Sequence, residues 1–242
     1  MYRMIQPSVR GGICHVSVRY ARANNKLMGA LYDPTKPTSY ILYVDANNLY
    51  GHAMSQPLPD DDFAWLSDQE CRDAEVAIRD PVTRQAFFNQ ADSNYIMEVD
   101  LEYPPELHER DDDYPLAPEN ISISDQNTGP KQHEPRAKYF SAASPYSRKL
   151  ICSFLPKRHY VVLGRLLEFY LNRGMRLVRV HRAIKFTASP YFKPYIDHNA
   201  TKRKQCGGDP TKKDFYKLMN NAPYGKTIEN VAKRSSPDER LG

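Results

Sequence analysis

The chain has 242 residues, 40% of them hydrophobic and 26% charged, the composition of an ordinary globular protein with room for one good core or two small ones. No apolar run approaches the roughly 18 residues that suggest a membrane span. Met1 to Gly12 lacks an apolar signal core, so neither a membrane nor secretion is expected and the reading is of an intracellular protein. Cys14, Cys71, Cys152 and Cys206 are scattered without metal-ligand spacing, as reduced thiols are.

The net charge of +5 hides an asymmetry. Residues 1–59 carry six Lys/Arg against two Asp/Glu (+4), residues 60–147 seven against twenty (−13), and residues 148–242 twenty-one against seven (+14). The basic third suits a phosphate backbone, through an attraction that weakens steeply with salt. The acidic middle suits a protein partner instead.

In chain order, Val16 to Tyr20 reads as a short strand. The turn-rich stretch Asp33-Pro34-Thr35-Lys36-Pro37 leads into Tyr40-Ile41-Leu42-Tyr43-Val44, whose β-branched and aromatic residues predict a buried strand. That strand delivers Asp45 at its end, and Tyr50 follows after a polar turn. A carboxylate so placed can hold Mg²⁺, which takes oxygen ligands and leaves room for substrate phosphates; Asp at a strand end is equally a common turn residue. Pro57, Pro59 and the run Asp60-Asp61-Asp62 close this unit, and that run and Asp111-Asp112-Asp113 read as solvated loops.

Ser67 to Gln90 leans helical with a break at Asp80-Pro81. Tyr95, Met97, Val99, Leu101 and Tyr103 alternate with Glu98, Asp100 and Glu102, the pattern of a half-buried strand at a sheet edge or face. Residues 104–147 are rich in Pro, Asp and Ser and read as the most mobile region. Val161, Leu163, Leu166, Leu167 and Tyr170 predict an amphipathic helix over Lys157–Asn172, ended by Gly174. Met175 to Phe186 returns as a strand, and Thr201 to Pro210 is a basic, glycine-containing turn.

The last helix is predicted from Thr211, a suitable N-cap, with Phe215, Leu218 and Met219 as its apolar stripe. Lys213, Lys217, Asn221 and Tyr224 follow at steps of four, four and three, which lines up two ammonium groups, an amide and an aromatic ring on another face. Two lysines can neutralise a triphosphate and an aromatic can sit against a base. The plain alternative is a solvated basic face with a turn at Asn220-Asn221. The seven histidines show no ligand spacing.

Two of these segments together resemble motifs A and B of family-B DNA polymerases. Asp45-Ala46-Asn47-Asn48-Leu49-Tyr50-Gly51 is similar to Asp-x-x-Ser-Leu-Tyr-Pro, and Lys217 to Gly225 is similar to Lys-x-x-x-Asn-Ser-x-Tyr-Gly, in the family's order. Arg10-Gly11-Gly12 looks like the Tyr-x-Gly-Gly element of the protein-primed branch, with Val9 where the tyrosine usually sits. That branch occurs in phages, adenoviruses, linear plasmids and Polinton (Maverick) transposons, and the wording here looks most like the Polinton-type copies. The resemblance runs from about Arg10 to Lys233.

The resemblance implies an α+β fold: a mixed or antiparallel palm sheet (residues 1–59 with motif A), an acidic insertion (60–147) and a palm and helical fingers segment with motif B (148–242). It implies template-directed deoxynucleotide addition with Mg²⁺, DNA template-primer and deoxynucleoside triphosphates as partners, and a priming (terminal) protein gripped by the insertion. By the same resemblance Asp45 is the catalytic metal ligand, joined by the Ala46 carbonyl. Tyr50 is then the steric gate against a 2′-hydroxyl and Lys217 neutralises the triphosphate, with Lys213 or Lys202-Arg203-Lys204 as second cation. Asn221 and Tyr224 border the nascent base pair, Gly225 lets backbone approach it, and Gly11 and Gly12 help position the template-primer terminus.

Departures from the pattern set further expectations. The family's Tyr-x-Asp-Thr-Asp motif is not among these 242 residues, so the chain by itself is expected to be inactive. Pro223 stands inside motif B, where a helix interior would lose roughly 3 kcal/mol; a helix ending by Asn221 would avoid that cost. The alternative function is a non-catalytic DNA-binding or interaction module derived from such a polymerase.

Overall fold

The computed structural model describes the chain apart from Gly12, His15, residues 90–93 and 123–147, Ile228 and residues 230–242. In chain order the helices are α1 (Tyr2–Ile5), α2 (Leu49–Met54), α3 (Asp68–Arg79), α4 (Pro81–Phe88), α5 (Gly164–Asn172), α6 (Lys193–Gln205) and α7 (Pro210–Thr227). The strands are β1 (Leu58–Trp65), β2 (Asn94–Glu102), β3 (Glu119–Ser122), β4 (Arg148–Ile151), β5 (Lys157–Leu163) and β6 (Arg176–Ser189). This mixture is the expected α+β class. The chain divides into two units: residues 1–17, 65–90 and 95–184, and residues 18–64, 91–94 and 185–242.

In the first unit the local signals are strong. Ser67 opens α3 through a capping box with Glu70, each side chain bonding the other's backbone N–H. Asp80 accepts the Val82 N–H at 2.7 Å and Pro81 takes the first position of α4, so the expected break is real. Gly174, at φ 104°, ends α5 with the Met175 N–H on the Tyr170 carbonyl and the Gly174 N–H on Leu171, the bond pattern of a left-handed cap.

β2 lies between β6 and β5, with β1 beyond β6 in the strand order. Met97, Val99 and Leu101 of β2 are wholly buried against Ala74 and Ile78 of α3, Val162 of β5, Leu167 of α5 and Ala183 of β6. This corrects the half-buried edge reading, because Glu98 and Asp100 on the opposite face are buried as well.

The expected helix over Lys157–Asn172 is instead strand β5 followed by helix α5. Tyr160, Val161 and Val162 pair antiparallel with Val99, Glu98 and Met97. Their β-branched and aromatic side chains suit that pleat, so sheet pairing overrides a helical period that is sound only from Leu163 onward. Gly164 makes the turn, where a Cβ would sit 3.1 Å from the Phe88 ring and 3.3 Å from the Tyr95 carbonyl. Residues 104–122 carry a 3₁₀ turn and β3, paired with β4; the remainder of the region read as mobile, 123–147, lies outside the described residues. Beside this strand pair Lys157 is wholly buried, its Nζ bonded to Glu119 (2.9 Å) and to Ser153 Oγ (3.0 Å).

In the second unit, the stretch from Asp33 to Pro37 is a turn, as expected. The Asn24 side chain donates to the Asp33, Lys36 and Pro37 carbonyls, and the Asp33 carboxylate accepts from Thr35, which with Lys36 holds its pKa below the ordinary value. Three readings are corrected here. Val16–Tyr20 is not a strand and is exposed. Tyr40–Val44 is neither strand nor buried, with Tyr43 93% exposed; a strand needs a neighbour's ladder, and among the described residues none pairs with it. Asp60-Asp61-Asp62 sits within β1 rather than in a loop, exposed, with Asp62 at φ 56°. The basic turn is shorter than expected, since α6 runs to Gln205.

Candidate nucleotide site

The two motif segments fall in the second unit, each at a helix. Asn48 takes the left-handed conformation that Asn tolerates (φ 56°), and its carbonyl accepts the His52 N–H at 2.9 Å to open α2. Gly51 follows because a Cβ there would collide with the Asn48 side-chain amide. This short helix carries Tyr50 just beyond the turn at Asn47-Asn48, which follows the exposed, irregular segment holding Asp45 and Ala46.

Helix α7 begins one residue before the expected cap. Pro210 takes its first turn and Asp209 is the cap, its carboxylate accepting the Lys212 N–H at 3.2 Å. That bond and the Lys212 charge hold the Asp209 pKa below the usual range. The packed face is also rotated from the expected one. Tyr216, Met219, Asn220 and Pro223 are buried or half-buried, whereas Phe215 and Leu218 are 54% and 65% exposed.

Lys213 and Tyr224 are half-buried, while Lys217, Asn221 and Gly225 are exposed. Among the described residues neither Lys213 nor Lys217 is ion-paired, while Lys212 pairs with Asp209 and Lys226 with Glu229. The Cβ side of Gly225 is open. Gly11 is exposed in the first unit, and Gly12 lies outside the described residues.

Helices α2 and α7 meet, and a ring contact links the two motif segments. The rings of Tyr50 and Tyr224 lie 4.2 Å apart, centroid to centroid, tilted by 32°. Such offset aromatic pairs contribute about 0.5–1.5 kcal/mol beyond their burial. Lys217 and Asn221 share the exposed side of the same helix. Chemically, an exposed carboxylate can hold a cation, lysines without ion partners among the described residues can meet phosphate, and a tyrosine pair can face a base; of these groups, Tyr50 and Tyr224 are joined by their ring contact.

Sequence reasoning missed two polar groupings. In the second unit, Tyr195 of α6 donates its hydroxyl to the Met219 carbonyl at 2.9 Å, and the buried amides of Asn199 and Asn220 each leave one atom without a partner among the described residues. In the first unit, the outer face of the sheet gathers Glu98, Asp100, His159 and His181. The imidazoles stack at 4.0 Å, His159 Nδ1 lies 2.8 Å from Glu98, and His181 Nε2 lies 2.9 Å from Asp100 outside hydrogen-bond geometry. Arg182 pairs with Glu98 and Arg158 reaches Asp100. The two carboxylates at i and i+2 were a visible signal, but the histidines come from β5 and β6, and only sheet pairing brings them in.

An α+β protein whose second unit joins a short tyrosine-bearing helix to a lysine-bearing one is the class these features define. The chain belongs to the family of type B DNA polymerases, organellar and viral, whose model matches residues 1–234. No curated protein and no solved structure matches it. The family implies DNA and nucleotides as partners. Among the described residues no helix is long and apolar enough to cross a membrane.

Proposed function

We propose that the second unit supplies the motif A and motif B half of a template-directed DNA-synthesising site, binding an incoming deoxynucleoside triphosphate beside a DNA template-primer. The observation that carries this reading is the Tyr50–Tyr224 stack, which unites residues 174 positions apart in the chain. Tyr50 is the steric gate against a 2′-hydroxyl. Lys217 and Lys213 neutralise the triphosphate as point charges. Asn221 and Tyr224 border the nascent base pair, with Gly225 leaving room for backbone approach. Gly11 and Gly12 help position the template-primer terminus. Residues 60–147 are the insertion that meets a priming protein, a reading supported by the likeness of Arg10-Gly11-Gly12 to the glycine-pair element of the protein-primed branch.

Mg²⁺ suits Asp45 and the Ala46 carbonyl, since it binds through one or two carboxylates while keeping several waters. Bound there it would help neutralise the triphosphate. Among the described residues, however, no group of three His, Cys, Asp or Glu could hold a metal ion, so these residues alone do not build a two-metal centre. Purified residues 1–242 are therefore expected to bind nucleotide without extending a primer. Robust extension that disappears in Asp45→Ala would overturn the second half of that statement.

The test of the site is titration of the chain with dATP and Mg²⁺. Lys217→Ala is expected to weaken binding about tenfold or more, the weight of a charge-assisted contact. Asp45→Ala is expected to remove the dependence on Mg²⁺. Salt-sensitive DNA binding that persists, with nucleotide affinity absent or untouched by Lys217→Ala, would favour the non-catalytic DNA-binding module instead.

A further inference from the structure

Pro223 lies within α7, which continues to Thr227. In a regular helix the N–H of residue 223 would donate to the carbonyl of residue 219, four positions back. Proline has no N–H, so the Met219 carbonyl loses its helical donor. That same carbonyl accepts the Tyr195 hydroxyl, at 2.9 Å, from the neighbouring helix α6. The group orphaned by the proline and the group met by the tyrosine are one atom.

We propose that Tyr195 is a positioning residue for the motif B helix. Its hydroxyl replaces the missing backbone donor, lets α7 run through Pro223, and so keeps the last turns helical where Asn221 and Tyr224 are carried. Two facts make the arrangement specific. Tyr195 is half-buried on the helix that packs against α7, so its hydroxyl is directed rather than free in solvent. Tyr224 directly follows Pro223 and holds the stack on Tyr50, so a frayed helix at this point would separate the two motifs. The consequence for nucleotide rests on the function proposed above; the consequence for the helix does not.

The experiment compares four full chains: wild type, Tyr195→Phe, Pro223→Ala, and the double variant. Hydrogen exchange by mass spectrometry reads the amides of residues 219–227, and titration reads affinity for dATP with Mg²⁺. Tyr195→Phe keeps the ring and removes only the hydroxyl. It is expected to speed exchange in these turns about fivefold, the equilibrium weight of one net hydrogen bond, and to weaken dATP by a similar factor. Pro223→Ala restores the backbone donor, so in that background Tyr195→Phe is expected to change neither quantity. Equal effects of Tyr195→Phe in both backgrounds, or none in either, would overturn the proposal. Exchange that couples in this way while no chain binds dATP would uphold Tyr195 as the helix-positioning residue and reject the nucleotide reading alone.

Discussion

Asp100 accepts the His159 backbone N–H at 2.8 Å, and Glu98 bonds both the His159 ring and Arg182. Burial pushes both carboxyls up, but these partners outweigh it and hold both pKa values below their ordinary 4.5 and 3.8. A folded-state pKa below the unfolded one means that the unfolded chain binds protons first as pH falls. The stabilisation is therefore present above the ordinary carboxylate values and is lost as pH drops through the depressed ones. Thermal melts of the whole chain between pH 7 and pH 3 are expected to fall more steeply for wild type than for Glu98→Gln/Asp100→Asn. Parallel pH profiles would show that this cluster contributes nothing to acid sensitivity. His159 reaches Glu98 from a left-handed backbone (φ 50°), at the extra residue by which β5 slips against β2 between Val99 and Leu101. No pattern in the sequence announces such a bulge, which is why spacing alone assigns these histidines nothing.

Among the elements, Arg84 shows how helices are tied together in the first unit. It is buried on α4, donates to the Ile78 and Arg79 carbonyls that end α3, and bonds Asn172 of α5 at 3.0 Å. Burial lowers its pKa. Arg84→Met keeps much of the volume but strands three acceptors, at an expected cost of about 2–4 kcal/mol in urea denaturation; a loss under about 0.5 kcal/mol would show the tie to be unimportant. Helix α3 and the break before α4 were legible because capping and proline act within a few residues. The packed face of α7 was not. Of its expected stripe Phe215, Leu218 and Met219, only Met219 is covered, and packing against α2 and α6 accompanies a face of Tyr216, Met219, Asn220 and Pro223 instead.

At the scale of the whole molecule, the charge is divided by sequence region: residues 148–242 carry twenty-one cations against seven anions. If that region binds a DNA backbone, each neutralised phosphate steepens the log–log salt dependence by about 0.9. A footprint of about five phosphates predicts a slope near −4.5, readable by fluorescence anisotropy on a short duplex between about 50 and 200 mM salt. A slope near zero would remove the basic third from DNA contact. Hydrophobic exposure in the second unit is uneven too, since Tyr40–Val44 next to Asp45 stays open.

By itself the sequence determined what local chemistry can encode. This covers the helix start at α3 and the break before α4, the glycine stop after α5, the existence of strand β2, the asymmetric charge, and two ordered segments whose resemblance pointed to the family that residues 1–234 match. Tertiary structure alone decided which strand each segment pairs with and which side of each helix is covered. It made Lys157–Leu163 a strand, gave Tyr40–Val44 no strand partner among the described residues, stacked Tyr50 on Tyr224 and brought Tyr195 to the carbonyl that Pro223 leaves bare. The physical reason is range. Caps, turns and periodicity act over a few residues, whereas sheet partners and packing faces depend on contacts between residues far apart in the chain.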